Sequence, residues 1–125
     1  MAALSYGSVE VVRAFLAANA DVNAKTISGY TPLMSASASG RADLVRLLLI
    51  AKANVNAVEF DGTTALMVAS AGGRFEVVQA LLTAKADVNA KRRDGSTALM
   101  LAVQNNYPEV AKLLTSAIAA SPAAK

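Results

Sequence analysis

The apolar residues of this chain fall in short bursts separated by glycines and polar turns. Between residues 28 and 61, Leu33, Ala36 and Ser37 lie on one face of a short predicted helix. Thr31 is placed to cap that helix, Pro32 suits its first turn, and Gly40 stops it. A second helix is predicted from about Ala42 to Ile50, with Leu44, Val45, Leu48 and Leu49 at helical spacing. The stretch Ala53-Asn54-Val55-Asn56-Ala57 is too short and too polar for a third helix and reads as a strand-like arm. Ser28-Gly29, Asp61-Gly62 and Asp94-Gly95 are hairpin-turn dipeptides, since glycine tolerates positive φ.

This unit recurs. Gly29, Gly62 and Gly95 are spaced by 33 residues, as are Thr31, Thr64 and Thr97, and Leu33, Leu66 and Leu99. Met34, Met67 and Met100 keep the same step, as do Val22, Val55 and Val88. Gly7, Gly40 and Gly73 form a further series that Asn106 continues. Residues 29–61 match residues 62–94 at 19 of 33 positions, too many for chance. Helices shorter than ~12–15 residues are marginal in water. Each unit must therefore bury its apolar side against the next, which predicts a one-dimensional stack.

Composition narrows the chemistry. With neither His nor Cys, the chain has no disulfide, no soft metal ligand and none of the common catalytic triads or dyads. Its nine acidic residues are scattered. Gly72-Gly73 is not followed by Gly-Lys-Ser/Thr, so Gly73 reads as the repeat's helix stop rather than as a phosphate loop. A net charge of +3 is only a weak indication of an acidic partner. No apolar run approaches the length of a membrane span. The opening Met1-Ala2-Ala3-Leu4-Ser5 lacks the features of a signal peptide. The expectation is a soluble chain with no membrane contact and no cofactor. Its compartment is not encoded, with the cytoplasm as the default.

These motifs resemble the ankyrin repeat. The family's Asp-Gly-x-Thr-Pro-Leu-His-x-Ala appears here as Gly29-Tyr30-Thr31-Pro32-Leu33-Met34-Ser35-Ala36 and as Asp61-Gly62-Thr63-Thr64-Ala65-Leu66-Met67. Glu76-Val77-Val78 and Asp87-Val88-Asn89-Ala90 match its later signatures. The resemblance implies an all-α solenoid of stacked helix-turn-helix units joined by β-hairpin-like loops. One domain is expected over 1–120, with repeats at about 1–28, 29–61, 62–94 and 95–120, and a frayed tail over 121–125. Pro108 would open the last helix, continued by Glu109, Val110, Leu113 and Leu114.

Three departures from the family pattern follow. Met replaces the family's His at positions 34, 67 and 100, filling space but specifying geometry poorly. Asn19, Lys52 and Lys85 stand where the family ends its second helix with Gly. Met1 aligns with Met34, so the first turn is missing and the chain starts inside a repeat. Met1, Leu4, Val11 and Phe15 would then face an uncovered side, through which self-association is expected.

The resemblance places a binding surface on the turn tips and on exposed sites of the first helices. The residues expected to meet a protein partner are Tyr6, Ile27, Tyr30, Val58, Phe60, Thr63, Lys91, Arg93, Ser96, Gln104 and Asn105. Tyr6, Tyr30 and Phe60 put half of the chain's six Phe and Tyr residues on that face. Such clustering is harder to dismiss than single exposed apolar residues. Lys91, Arg92 and Arg93 add a basic corner that would steer an acidic segment. A designed ankyrin scaffold is the alternative reading, favoured by uninterrupted spacing and the lack of Cys. Nucleic-acid binding is weaker, because a single corner is basic and its cations are not interleaved with the aromatic residues. Catalysis is the reading the residues favour least.

Overall fold

A computed structural model describes residues 22–120. Six helices lie in that range: α1 Pro32–Ala38, α2 Ala42–Ile50, α3 Ala65–Ala71, α4 Phe75–Thr83, α5 Ala98–Gln104 and α6 Pro108–Ala120. They form three inner-outer pairs. Along the stack α1 packs on α3 and α3 on α5, while α2 packs on α4 and α4 on α6. The result is two parallel rows of helices, an all-α repeat solenoid.

The inner helices begin the same way for the same reason. Thr31, Thr64 and Thr97 have extended backbones. Their hydroxyls accept from the N–H groups of Met34, Met67 and Met100 at 3.3, 3.2 and 3.2 Å. This satisfies one otherwise orphaned donor per helix. The outer helices α2 and α4 have no side-chain cap at Arg41 and Arg74, but Asp43 and Glu76 put negative charge in the first turn.

Helix ends follow one geometry. After α1, the Gly40 N–H donates to the Ser37 carbonyl and the Arg41 N–H to the Ala36 carbonyl. This crossed pair is a Schellman motif, which places the terminating residue at positive φ. The φ values are 72° at Gly40, 68° at Gly73 and 62° at Asn106. At the outer helices Lys52 and Lys85 occupy the same position, at 76° and 72°. The same crossed bonds bracket them: Lys52 to Leu49 and Ala53 to Leu48, then Lys85 to Leu82 and Ala86 to Leu81.

The core runs between the two rows. Leu33, Leu44, Leu48, Leu66, Leu81 and Leu114 are fully buried, with Val45, Val77 and Val78 between them. Each buried Leu or Val contributes ~1.5–3 kcal/mol relative to exposure. Met34 and Met67 belong to this core at 0% and 1% exposure, whereas Met100 is 52% exposed. Among the described residues no helical pair stacks beyond α5 and α6, so nothing covers Met100 as its equivalents are covered.

The arm after each outer helix departs from the strand-like expectation. Residues 55–56 and 88–89 are turns, and the single bridge pairs Val58 with Thr64. The cause is local. The Asn54 carboxamide accepts from the Asn56 N–H at 3.0 Å, and the Asp87 carboxylate from the Asn89 N–H at 2.9 Å. Such short polar side chains fold the backbone into a turn in competition with extended pairing. The Asn56 carboxamide oxygen then accepts from the Asp87 N–H of the next repeat at 2.8 Å, as Asn23 does from Asn54 at 2.7 Å. The residues expected to form an uncovered, self-associating side, Met1, Leu4, Val11 and Phe15, lie outside the described residues, as does the 121–125 tail.

Candidate protein-binding surface

The turn tips are built by short hydrogen-bonded loops. In the first, the Thr26 N–H donates to the Tyr30 carbonyl and the Gly29 N–H to the Thr26 carbonyl, both at 2.9 Å. The second repeats this with Glu59 to Thr63 and Gly62 to Glu59, and the third with Arg92 to Ser96 and Gly95 to Arg92. Gly29, Gly62 and Gly95 have φ near 90°, which the turn requires. A Cβ at Gly29 would also come within 2.9 Å of the Val58 carbonyl oxygen, so successive loops touch backbone to backbone.

Neighbouring loops are tied directly. The Phe60 N–H donates to the Ser28 carbonyl at 3.0 Å, and the Arg93 N–H to the Asp61 carbonyl at 2.9 Å. Within the loops, the Asp61 carboxylate accepts from the Thr63 N–H at 3.0 Å and the Asp94 carboxylate from the Ser96 N–H at 2.9 Å. These bonds from the backbone, with the hydroxyls of Thr63 and Ser96 and the Arg92 charge, hold both carboxyls below the usual carboxylate range. The tips are thus fixed relative to one another before any partner arrives.

Ile27, Phe60 and Arg93 occupy equivalent positions on the three loops, and all three are exposed. Ile27 is fully exposed, Phe60 is 71% exposed and Val58 is 48% exposed. The Arg93 guanidinium lies 5.9 Å from the centre of the Phe60 ring, at the outer limit of a cation–π contact. Lys91 and Gln104 are also exposed, and Ser96 is half-buried.

Three expected contact residues sit differently. Tyr30 is half-buried and packs against the core rather than standing at the tip. Burial and the Glu59 carboxylate push its phenol above the ordinary range, against the opposing pull of a hydrogen bond with the Ser35 side chain. Thr63 is buried at 8% exposure and serves the Asp61 turn. Both sit just after the turn glycine, where the loop re-enters the stack. Asn105 is exposed, but its amide donates to the Ala71 carbonyl of the preceding repeat at 2.9 Å. Tyr6 lies outside the described residues.

Asn105 has a counterpart in Arg74, which by sequence opens the outer helix as a solvated residue but in the structure also reaches the preceding repeat. The Arg74 guanidinium donates to the Ala38 carbonyl at 3.2 Å while its side chain lies over Gly40. Tyr107 lies over Gly73 in the same way, and a Cβ there would be 2.5 Å from its ring. Gly40 and Gly73 therefore satisfy two demands, positive φ and close approach. The recurrence of long side chains at positions 74 and 107 just after the inner helix was the available signal.

No group of three or more acidic residues among the described residues is arranged to hold a metal ion. No helix there is long and apolar enough to cross a membrane. The family model for ankyrin repeats (3 copies) matches residues 1–59 and 49–125. The chain therefore belongs to the ankyrin-repeat family, whose members generally mediate protein–protein interaction. None of the curated proteins matches it.

Proposed function

We propose that this chain is a protein-interaction module whose partner seats on the turn tips and the adjoining inner helices. The observation that carries the reading is the exposed apolar row Ile27, Val58 and Phe60 on loops that are hydrogen-bonded to one another. Exposed apolar groups held on a rigid frame contribute to binding at a reduced ordering cost, because the loops themselves need not be ordered. Aromatic residues of this kind are typical anchors. The floor beside them carries small or uncharged residues, including the exposed Ala38 and Gly72 and, further along, Gln104, with the Arg74 guanidinium held on the Ala38 carbonyl. A partner can therefore approach closely.

Photo-cross-linking tests the reading. A benzophenone amino acid at position 60 should capture a protein from a lysate of the source cells, and the adduct should be lost in an Ile27→Ala background. The same probe at Ile50, exposed on the outer row, is the control. Equal capture at both positions, or capture at Ile50 alone, would place the partner elsewhere.

A further inference from the structure

Two columns of residues run across the three loops at a fixed 33-residue step: Lys25, Val58 and Lys91 in one, Ile27, Phe60 and Arg93 in the other. All six are exposed. The centre of this surface is apolar, and cations stand at both ends. Arg92, Asp61 and Asp94 are already engaged. Arg92 is drawn to Asp94 at 3.7 Å and its charge also acts on Asp61, while the Asp61 and Asp94 carboxylates are held by their own turns. Glu59 is half-buried and lies close enough to Tyr30 to perturb it. Lys25, Lys91 and Arg93 form no ion pair among the described residues.

We infer that the preferred partner is a protein segment with an apolar centre flanked on both sides by carboxylates, its apolar residues meeting Phe60, Val58 and Ile27 and its acids meeting Lys91 and Arg93 at one end and Lys25 at the other. This rests on the tip surface being the binding face. Charge complementarity selects the occupant. Apolar contact supplies affinity, while unpaired cations at the rim set register and reject segments of the wrong sign. Phosphate backbones fit less well. A nucleic-acid strand carries charge at every nucleotide, which the apolar centre does not meet, and Phe60 is the single exposed ring of the row available for base stacking.

The test selects a random dodecapeptide phage library on the full chain, then measures the enriched peptides by fluorescence anisotropy. The proteins compared are the wild type, Phe60→Ala and the double variant Lys91→Glu, Arg93→Glu, each first checked for an unchanged thermal melt. Enriched peptides should carry Asp or Glu on both sides of an apolar centre. Charge reversal should weaken them by at least ~10-fold at low salt, and the loss should shrink as added salt screens the pairs. Peptides lost with Phe60→Ala yet lacking acidic flanks, or indifferent to charge reversal, would overturn this inference and leave the tip surface standing. A library yielding no peptide sensitive to Phe60→Ala would overturn the tip surface and the inference together. Oligothymidine bound more tightly than any peptide, and lost on charge reversal, would replace the acidic segment with a nucleic acid.

Discussion

Lys52 and Lys85 close the outer helices with φ of 76° and 72°, a conformation that L-residues with a Cβ resist. The left-handed region costs a non-glycine residue roughly 1–2 kcal/mol. Replacement by Gly removes that strain but adds ~0.5–1 kcal/mol of chain entropy lost on folding. Strain should win, so Lys52→Gly and Lys85→Gly should each stabilise by about 0.5–1 kcal/mol. Both lysines are exposed, which explains why they survive there. At Gly73 the same φ comes with the Tyr107 ring lying overhead, and a Cβ has no room, while at Gly40 a Cβ would have to displace the Arg74 side chain. The Lys52 carbonyl accepts from the Asn23 amide at 3.3 Å, a bond that the Gly variant keeps. The sites are a full repeat apart, so the double variant should sum the single effects. Urea melts should show higher midpoints at unchanged slope. Destabilisation in both single variants would refute the strain argument and mean that the lysine side chains contribute something the backbone geometry does not reveal.

Tyr30→Ala should cost about 1–2 kcal/mol in a denaturant melt, because half of the ring is packed, whereas Phe60→Ala should shift the same melt by less than ~0.5 kcal/mol. Equal effects would show that the two positions are not distinguished by burial. Ser37 and Ser70 share a repeat position and are both fully buried, but the Ser37 hydroxyl donates to the Leu33 carbonyl at 2.7 Å and the Ser70 hydroxyl has no partner. Ser37→Ala should therefore lose about 1 kcal/mol, while Ser70→Ala should be neutral or stabilising by up to ~1 kcal/mol; matching losses in differential scanning calorimetry would contradict this. Asp61 and Asp94 have depressed folded-state pKa values, so their contribution is present above the unfolded pKa of about 4 and is lost as pH falls through the folded values. Acid titration of stability should thus be flatter below pH ~4 in an Asp61→Asn, Asp94→Asn variant, which keeps the turn acceptors but not the charges; an unchanged acid limb would place the titration elsewhere.

Much of this protein is local and was therefore legible in its residues. Helix α2 runs from Ala42 to Ile50 as its apolar spacing predicts, and Thr31, Thr64 and Thr97 cap as their place before each inner helix implies. The positive φ at Lys52 and Lys85 is not legible in the lysines themselves; it falls at the slot where the family resemblance puts a helix-ending Gly. These features depend on bonds to residues three to five positions away, and such bonds repeat whenever the unit repeats. What only the tertiary structure decided is which neighbour covers each position. Met34, Met67 and Met100 are one residue type at one register, yet the first two are core and the third is half-exposed. Tyr30 and Phe60 are both tip aromatics by sequence, but the chain turns inward between positions 60 and 63 and carries the equivalent Tyr30 against the core. Asn105 is polar and exposed by pattern, and only the approach of α3 engages its amide with Ala71. A period specifies what each unit offers; burial and pairing depend on the surface of the unit stacked against it.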